Sequence, residues 1–214
     1  MTNLYICIMK RFLIIALAFA AFAMPVAGQN AKEIVDRMNQ ELDKGDELGT
    51  AVTFDIQIPI IGLASTRIKT LGKQSRAELD MKGEKGIIWI VNDTSWTYTP
   101  KDNKIEIALV KNGDNSTKET EMLNDITSGY DVSLVKETED SWEILCKKSK
   151  SNTSKDDASK MELVVSKKNY LPISLKAKTK GITMTLRDFS LGVSKADVTF
   201  NPSAYKGVII VDKR

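Results

Sequence analysis

From Thr50 onward the chain repeats with a period of two. Val52, Phe54, Ile56, Ile58 and Ile60 alternate with Thr53, Asp55, Gln57 and Pro59. Only a strand puts every second side chain on one face, so this stretch predicts a long strand with one apolar side. Pro59 lacks a backbone N–H and marks an edge or a bulge. The alternation continues through residues 63–71 and 74–82, and residues 86–91 are apolar on both faces. Asn92-Asp93 reads as a turn. Trp96 and Tyr98 then share a face in a strand that stops at Pro100, and Ile105, Ile107 and Leu109 share a face in the next. Further strands are predicted at 131–137, 142–148, 161–166, 173–179, 183–189 and 197–200, with 208–211 as a last extended piece. No internal repeat and no linker divides this unit.

Helix is predicted at two places. Over residues 31–44, Ile34, Val35, Met38 and Leu42 recur at helical spacing, with Asn30 as a cap, Glu33 completing a capping box and Gly45 as a stop. After the polar run 111–117, Ser116 and Glu119 repeat the capping-box spacing, and Met122, Leu123 and Ile126 form an apolar stripe over about 117–127. The fold class is therefore mainly β, of the α+β kind, with about eleven strands. An antiparallel sheet of that size curls, and its concave face must be filled, covered or kept for a ligand. Pattern alone leaves both a packed barrel and an apolar cavity open.

Residues 9–28 precede this unit with a different composition. Lys10 and Arg11 are followed by an apolar run from Phe12 to Ala23, then Pro25 and the small residues Ala27 and Gly28. The run is short for a membrane span and has the form of an export signal cleaved before Gln29; an uncleaved anchor is the alternative. The expected division is an upstream extension and signal peptide at 1–28 and one domain at 29–214, with a periplasmic location. No Cys follows the apolar run, so lipidation at a mature N-terminal Cys is not offered. Cys146 is the thiol of the domain, predicted to be buried and inert.

The chain has no histidine, which removes Ser-His-Asp and Cys-His catalysis and every His-containing metal site. Two cysteines are too few for a zinc site or a disulfide framework. A net charge of +3 from 31 basic and 28 acidic residues is too balanced for a nucleic-acid binder. Ser-x-x-Lys occurs at Ser133–Lys136 and Ser203–Lys206, but in a strand and near a turn, whereas acyl-serine enzymes place it on a helix. Asp156-Asp157 has no third carboxylate nearby. The expectation is a protein without catalytic residues, metal or cofactor, and not an enzyme.

Two stretches carry a family resemblance. One runs Asn92-Asp93-Thr94-Ser95-Trp96-Thr97-Tyr98-Thr99-Pro100 into the strand from Ile105. The other runs Val198-Thr199-Phe200-Asn201-Pro202, then Gly207-Val208-Ile209-Ile210-Val211-Asp212-Lys213-Arg214. With a helix directly after the export signal, these resemble the LolA family of periplasmic carriers of outer-membrane lipoproteins. That resemblance implies an incomplete antiparallel β-barrel of eleven strands under a helical lid, with a cavity that takes lipoprotein acyl chains. It also implies a handover from an inner-membrane lipoprotein-releasing transporter to an outer-membrane acceptor, LolB. The absence of a lipidation Cys favours carrier over acceptor. The familiar pattern has Arg-Pro at the start of the third strand, where the Arg bonds to the lid. Here Gly72-Lys73-Gln74-Ser75-Arg76 lacks the Pro, and Lys73 and Arg76 are the lid-contact candidates.

On this reading Phe54, Ile56, Ile58, Trp89, Trp96, Tyr98, Ile105 and Ile107 are the cavity-wall candidates, with Val35, Met38, Met122 and Leu123 on the lids. The implied partners are acylated lipoproteins and the transporter, with a monomeric carrier and no nucleic acid. The alternative is a LolA-like acyl-binding domain that regulates or senses rather than carries.

Overall fold

The structure, a computed structural model, describes residues 30–110 and 126–214. By its contacts the chain separates into Met1–Asn30 and Ala31–Arg214, and the second unit holds every element below. The expected export signal at 9–28 and the lid residues Met122 and Leu123 lie outside the described residues.

Helix α1 (Ala31–Asp43) buries Ala31, Ile34, Val35, Met38 and Leu42, the stripe read from the sequence. The expected stop at Gly45 instead opens a short helix α2 (Gly45–Leu48), where a Cβ would fall 2.3 Å from Thr50 Oγ1. Gly49 then turns the chain into the sheet at φ 75°, a conformation that L residues rarely adopt.

Eleven strands follow in two meanders. The first is β1 (Thr50–Ile58), β2 (Gly62–Leu71), β3 (Gln74–Met81), β4 (Glu84–Val91), β5 (Thr94–Thr99) and β6 (Lys104–Leu109). The second is β7 (Tyr130–Glu137), β8 (Ser141–Lys148), β9 (Lys160–Ser166), β10 (Pro172–Thr179) and β11 (Ile182–Leu191). Antiparallel pairing of β1 with β11 joins them, and the twelfth strand, β12 (Ile209–Asp212), adds to β6 in parallel. The order β12-β6-β5-β4-β3-β2-β1-β11-β10-β9-β8-β7 leaves two ends unjoined, so the sheet is an incomplete barrel.

Short loops set the register. Gly72-Lys73, Lys82-Gly83, Asn92-Asp93 and Lys180-Gly181 are two-residue turns, with φ of 55°, 55°, 57° and 47° at their first positions. Positive φ there matches the turn to the strand twist.

One sequence expectation is corrected here. Residues 197–200 are not a strand: Lys195–Val198 is a short helix, α3. The Ser194 side chain accepts from the Asp197 backbone N–H while the Asp197 carboxylate accepts from Ser194 N–H, a capping box that overrides the β-tendency of Val198 and Thr199.

The main core lies between α1 and β8–β10. Ile34 and Met38 pack with Trp142, Ile144, Cys146, Met161, Leu163, Val165 and Leu175. Cys146 is fully buried, as expected, and burial pushes its thiol up to about 11. A cleft of about 10 Å³ beside this core, lined by Ile126, Pro172, Leu175, Leu186, Arg187 and Phe189, holds no more than one water.

Candidate functional site

Residues directly opposite in adjacent antiparallel strands share a face. Leu134, Ile144, Leu163, Leu175 and Leu186 face one another from β7 to β11 and contribute to the core under α1. Phe54 lies opposite Leu186, and Ile56 opposite Met184. Phe54, Ile56 and Ile58 are therefore on the α1 face.

The other five wall candidates are not. Ala51 alternates with Val52 and lies opposite Lys69; Lys69 lies opposite Arg76, Arg76 opposite Trp89, Trp89 opposite Trp96, and Trp96 opposite Ile107. Tyr98 pairs with Ile105 two positions along. Trp89, Trp96, Tyr98, Ile105 and Ile107 thus line the reverse face. The expectation of one wall built from all eight is corrected: alternation fixes which residues of a strand share a side, but the turns fix how one strand's sides align with the next.

The reverse face has its own cover, the tail from Ser194 to Val208. Phe200 stacks on Trp96 at 5.5 Å between ring centroids and meets Trp89 edge-on at 5.3 Å. Tyr205 contacts Trp89, Tyr98 and Phe200 at 5.5, 4.8 and 5.7 Å. The two stretches that carry the family resemblance therefore pack on each other. Val198 is fully buried, and Lys69 Nζ holds Asp197 at 2.5 Å, so this residue anchors the tail to β2. The Lys69 ammonium and the Ser194 hydroxyl and backbone N–H hold the Asp197 carboxyl far below its ordinary range.

Arg76 belongs to this cluster. Its guanidinium lies 5.6 Å from the Trp89 ring centroid and pairs with Glu78 at 3.0 Å. It is on the opposite face from α1, so this lid-contact candidate does not meet that helix, and most of the second expected lid, about 117–127, lies outside the described residues. Lys73 sits in the exposed turn between β2 and β3. Val35 and Met38, the lid residues on α1, are buried in the core over the second meander.

The two faces of β1–β3 differ sharply in chemistry. Toward α1 they present Thr50, Val52, Phe54, Ile56, Ile58, then Gly62, Ala64, Thr66, Ile68, Thr70, then Ser75, Ala77, Leu79, Met81, with no charged side chain. Toward the tail the same strands present Asp55, Arg67, Lys69, Arg76, Glu78 and Asp80. Asp55 accepts from Arg187 Nε at 2.6 Å and from Ser65 Oγ at 2.7 Å, and these bonds, Arg187 foremost, hold its carboxyl below the ordinary value.

On the α1 face Leu79, Met81 and Met184 are 37%, 48% and 40% exposed, while Phe54, Ile56, Ile58, Ile68, Ile88 and Ile90 are half-buried. This strip is the candidate site. Sequence reasoning missed Ile68, Leu79, Met81, Ile88 and Ile90. The signal was available: Gly72-Lys73 and Lys82-Gly83, read as two-residue turns, place Ile68 opposite Ala77 and Ala77 opposite Ile88. The strip can shelter apolar chain, and the charged side chain beside it on the same face is Glu84, opposite Met81 and paired with Lys101. Among the described residues, no three His, Cys, Asp or Glu side chains gather to hold a metal.

No protein-family model matches the chain, and no curated protein matches it in sequence. Solved structures do match. LprF from Mycobacterium bovis aligns with a TM-score of 0.51 at 10% identity, over 80% of this chain and 96% of that one. A LolA superfamily protein from Nitrosomonas europaea aligns at 0.33 and 12% identity, over 81% and 99%. MucB in the Pseudomonas aeruginosa MucA/MucB complex aligns at 0.42 and 14% identity, over 85% of this chain but 64% of that chain. At a TM-score above 0.5, the likeness to LprF shows that this chain shares the fold of that protein.

Proposed function

We propose that this protein is a periplasmic carrier that shelters the acyl chains of lipoproteins against the α1 face of β1–β4. The observation that supports it best is the contrast within β1–β3: three adjacent strands with no charge on the α1 face, where Leu79 and Met81 remain more than one third exposed. An acyl chain leaving a membrane exposes about 0.8 kcal/mol per CH₂, which such a strip offsets. Methionine side chains adapt to chains of different shape, and Met81 and Met184 lie on the same row, with Ile56 and Ala64 between them. Release needs only moderate affinity, so no catalytic group takes part and the protein is not an enzyme. The cargo would arrive from an inner-membrane lipoprotein-releasing transporter and leave for an outer-membrane acceptor. The export-signal pattern at 9–28 supports the location.

The test is capture of a purified acylated lipoprotein against its non-acylated form. Wild type should take only the acylated form. Ile56→Glu should abolish capture, because it puts an unpaired charge where the chain lies, with folding checked by circular dichroism. Ser133→Ala and Ser203→Ala should leave capture intact. Equal capture of both forms by wild type would overturn the carrier reading.

A further inference from the structure

The β1–β2 hairpin ends in the loop Pro59-Ile60-Ile61, and this tip has an unusual construction. Ile61 N–H donates to Pro59 O at 2.8 Å across Ile60, whose φ is 70°. That is a γ-turn of the strained hand, and a β-branched residue is among the worst suited to it. Ile60 gains no shelter in return: it is fully exposed, at 104%, while Ile61 and Leu63 beside it are 47% and 50% exposed. Glycine would relax the turn and remove the apolar surface, yet isoleucine stands there.

The neighbours of the tip are basic. Gly62 approaches the Lys82 stem, with the Cβ position 3.5 Å from Lys82 Cε, and Gly181 approaches Pro59, with the Cβ position 3.8 Å from Pro59 Cγ. The turns Lys82-Gly83 and Lys180-Gly181 therefore flank the tip on either side. Beyond them, Lys101 reaches Glu84 next to the first turn, and the loop 149–159 reaches Lys180 through Asp156 at 2.7 Å. Among the described residues, the loops at this end carry Lys82, Lys101, Lys150, Lys155 and Lys180 against Asp102, Asp156 and Asp157. The β2–β3, β4–β5, β7–β8 and β9–β10 connections at the other end carry Lys73, Lys167 and Lys168 against Asp93, Glu139 and Asp140, with no such excess.

We propose that this end of the sheet docks on an anionic lipid bilayer, with Ile60 and Ile61 entering the headgroup–acyl boundary and the flanking lysines facing lipid phosphates. An apolar tip in a basic surround matches both parts of interfacial binding: apolar area for the boundary and positive charge for the surface potential. The inference rests on the tip and its lysines alone and does not require the acyl-binding reading.

The test is co-sedimentation of residues 31–214, which contain the whole described core, with vesicles of phosphatidylcholine, with and without phosphatidylglycerol. Wild type should bind the phosphatidylglycerol vesicles, more weakly as salt rises, and bind pure phosphatidylcholine poorly. Ile60→Gly should lower affinity by about tenfold or more, the scale of burying one large apolar side chain. Its melting temperature should hold or rise, which separates lost binding from lost folding. Lys82→Gln and Lys180→Gln should each weaken binding about fivefold, the scale of one lysine at an anionic surface. No binding by wild type, or an Ile60→Gly variant that binds as well as wild type, would overturn the proposal and leave a protein partner for the tip.

Discussion

Strands β2–β6 and the second meander bury opposite faces of one sheet. In β7–β11 the buried side is the α1 side, where aliphatic residues and Trp142 close around Ile34 and Met38. In β2–β6 the buried strand residues, Trp89 and Ile105, point to the reverse side, and Trp89 is capped by Phe200 and Tyr205 of the tail. The α1 side of β2–β4 carries no charge except Glu84 at its edge, and it is only half-covered. The difference separates two tasks that compete in a packed core. The second meander and the tail cluster hold the fold, so the strip through Ile56, Met81 and Ile88 is not needed at full packing density. A surface that must accept and release an apolar ligand has to be built this way, because a core at full density has no vacancy.

The largest effect should come from breaking the sealed side. Met38→Asp puts a carboxylate at a fully buried position without a partner, and the cost of an unpaired buried charge exceeds the stability of an ordinary domain. The variant should show no cooperative thermal transition by circular dichroism. A cooperative melt near that of wild type would mean that α1 is not fixed to β8–β10.

Next comes the reverse face. Trp89→Ala removes the ring that Phe200, Tyr205 and Arg76 share, and should cost about 3–5 kcal/mol by urea unfolding. Lipoprotein capture by the fraction that remains folded should persist, since Trp89 is on the wrong side of the sheet to touch cargo. Loss of capture at full folding would erase the distinction between the faces.

The seam between the meanders should respond more mildly and with pH. Asp55→Asn weakens the bonds from Arg187 on β11 and should cost about 1 kcal/mol at pH 7, since Arg187 is substantially exposed. Because the folded state holds the Asp55 pKa below its ordinary 3.8, its contribution is complete above that value and is lost as pH falls through the depressed one. Urea midpoints of wild type and variant should therefore converge in acid; a gap that stays constant down to pH 2 would assign the loss to something other than this carboxylate.

The smallest stability change should come from the open strip. Met81→Ser alters a side chain that is 48% exposed and should move stability by no more than about 0.5 kcal/mol. Capture of acylated lipoprotein should nonetheless fall. A loss of stability as large as that of Trp89→Ala would show that the strip is core after all.

Much of this architecture was legible in the residues because it is local. Alternation from Val52 to Ile58 specifies a strand whatever surrounds it, the spacing of Ile34, Val35, Met38 and Leu42 specifies a helix with one buried stripe, and Asn92-Asp93 closes a turn. Order and type of elements follow from such short-range rules, whereas the resemblance to the LolA family rested on the motif stretches 92–100 and 198–214. Where a local signal was misread, at 197–200, the capping pair Ser194 and Asp197 was itself in the sequence and outweighed two β-branched residues.

Tertiary structure alone decided which side of the sheet each cover takes. A strand's alternation is symmetric between its two faces: nothing within Thr94–Thr99 says whether Trp96 will meet α1 or the tail. That choice depends on Phe200 and Tyr205 arriving from more than a hundred residues away, and on β1 joining β11 so that the α1 core continues into Phe54 and Ile56. Burial is a property of what packs against a face, and the energy that selects it exists only once distant segments have met.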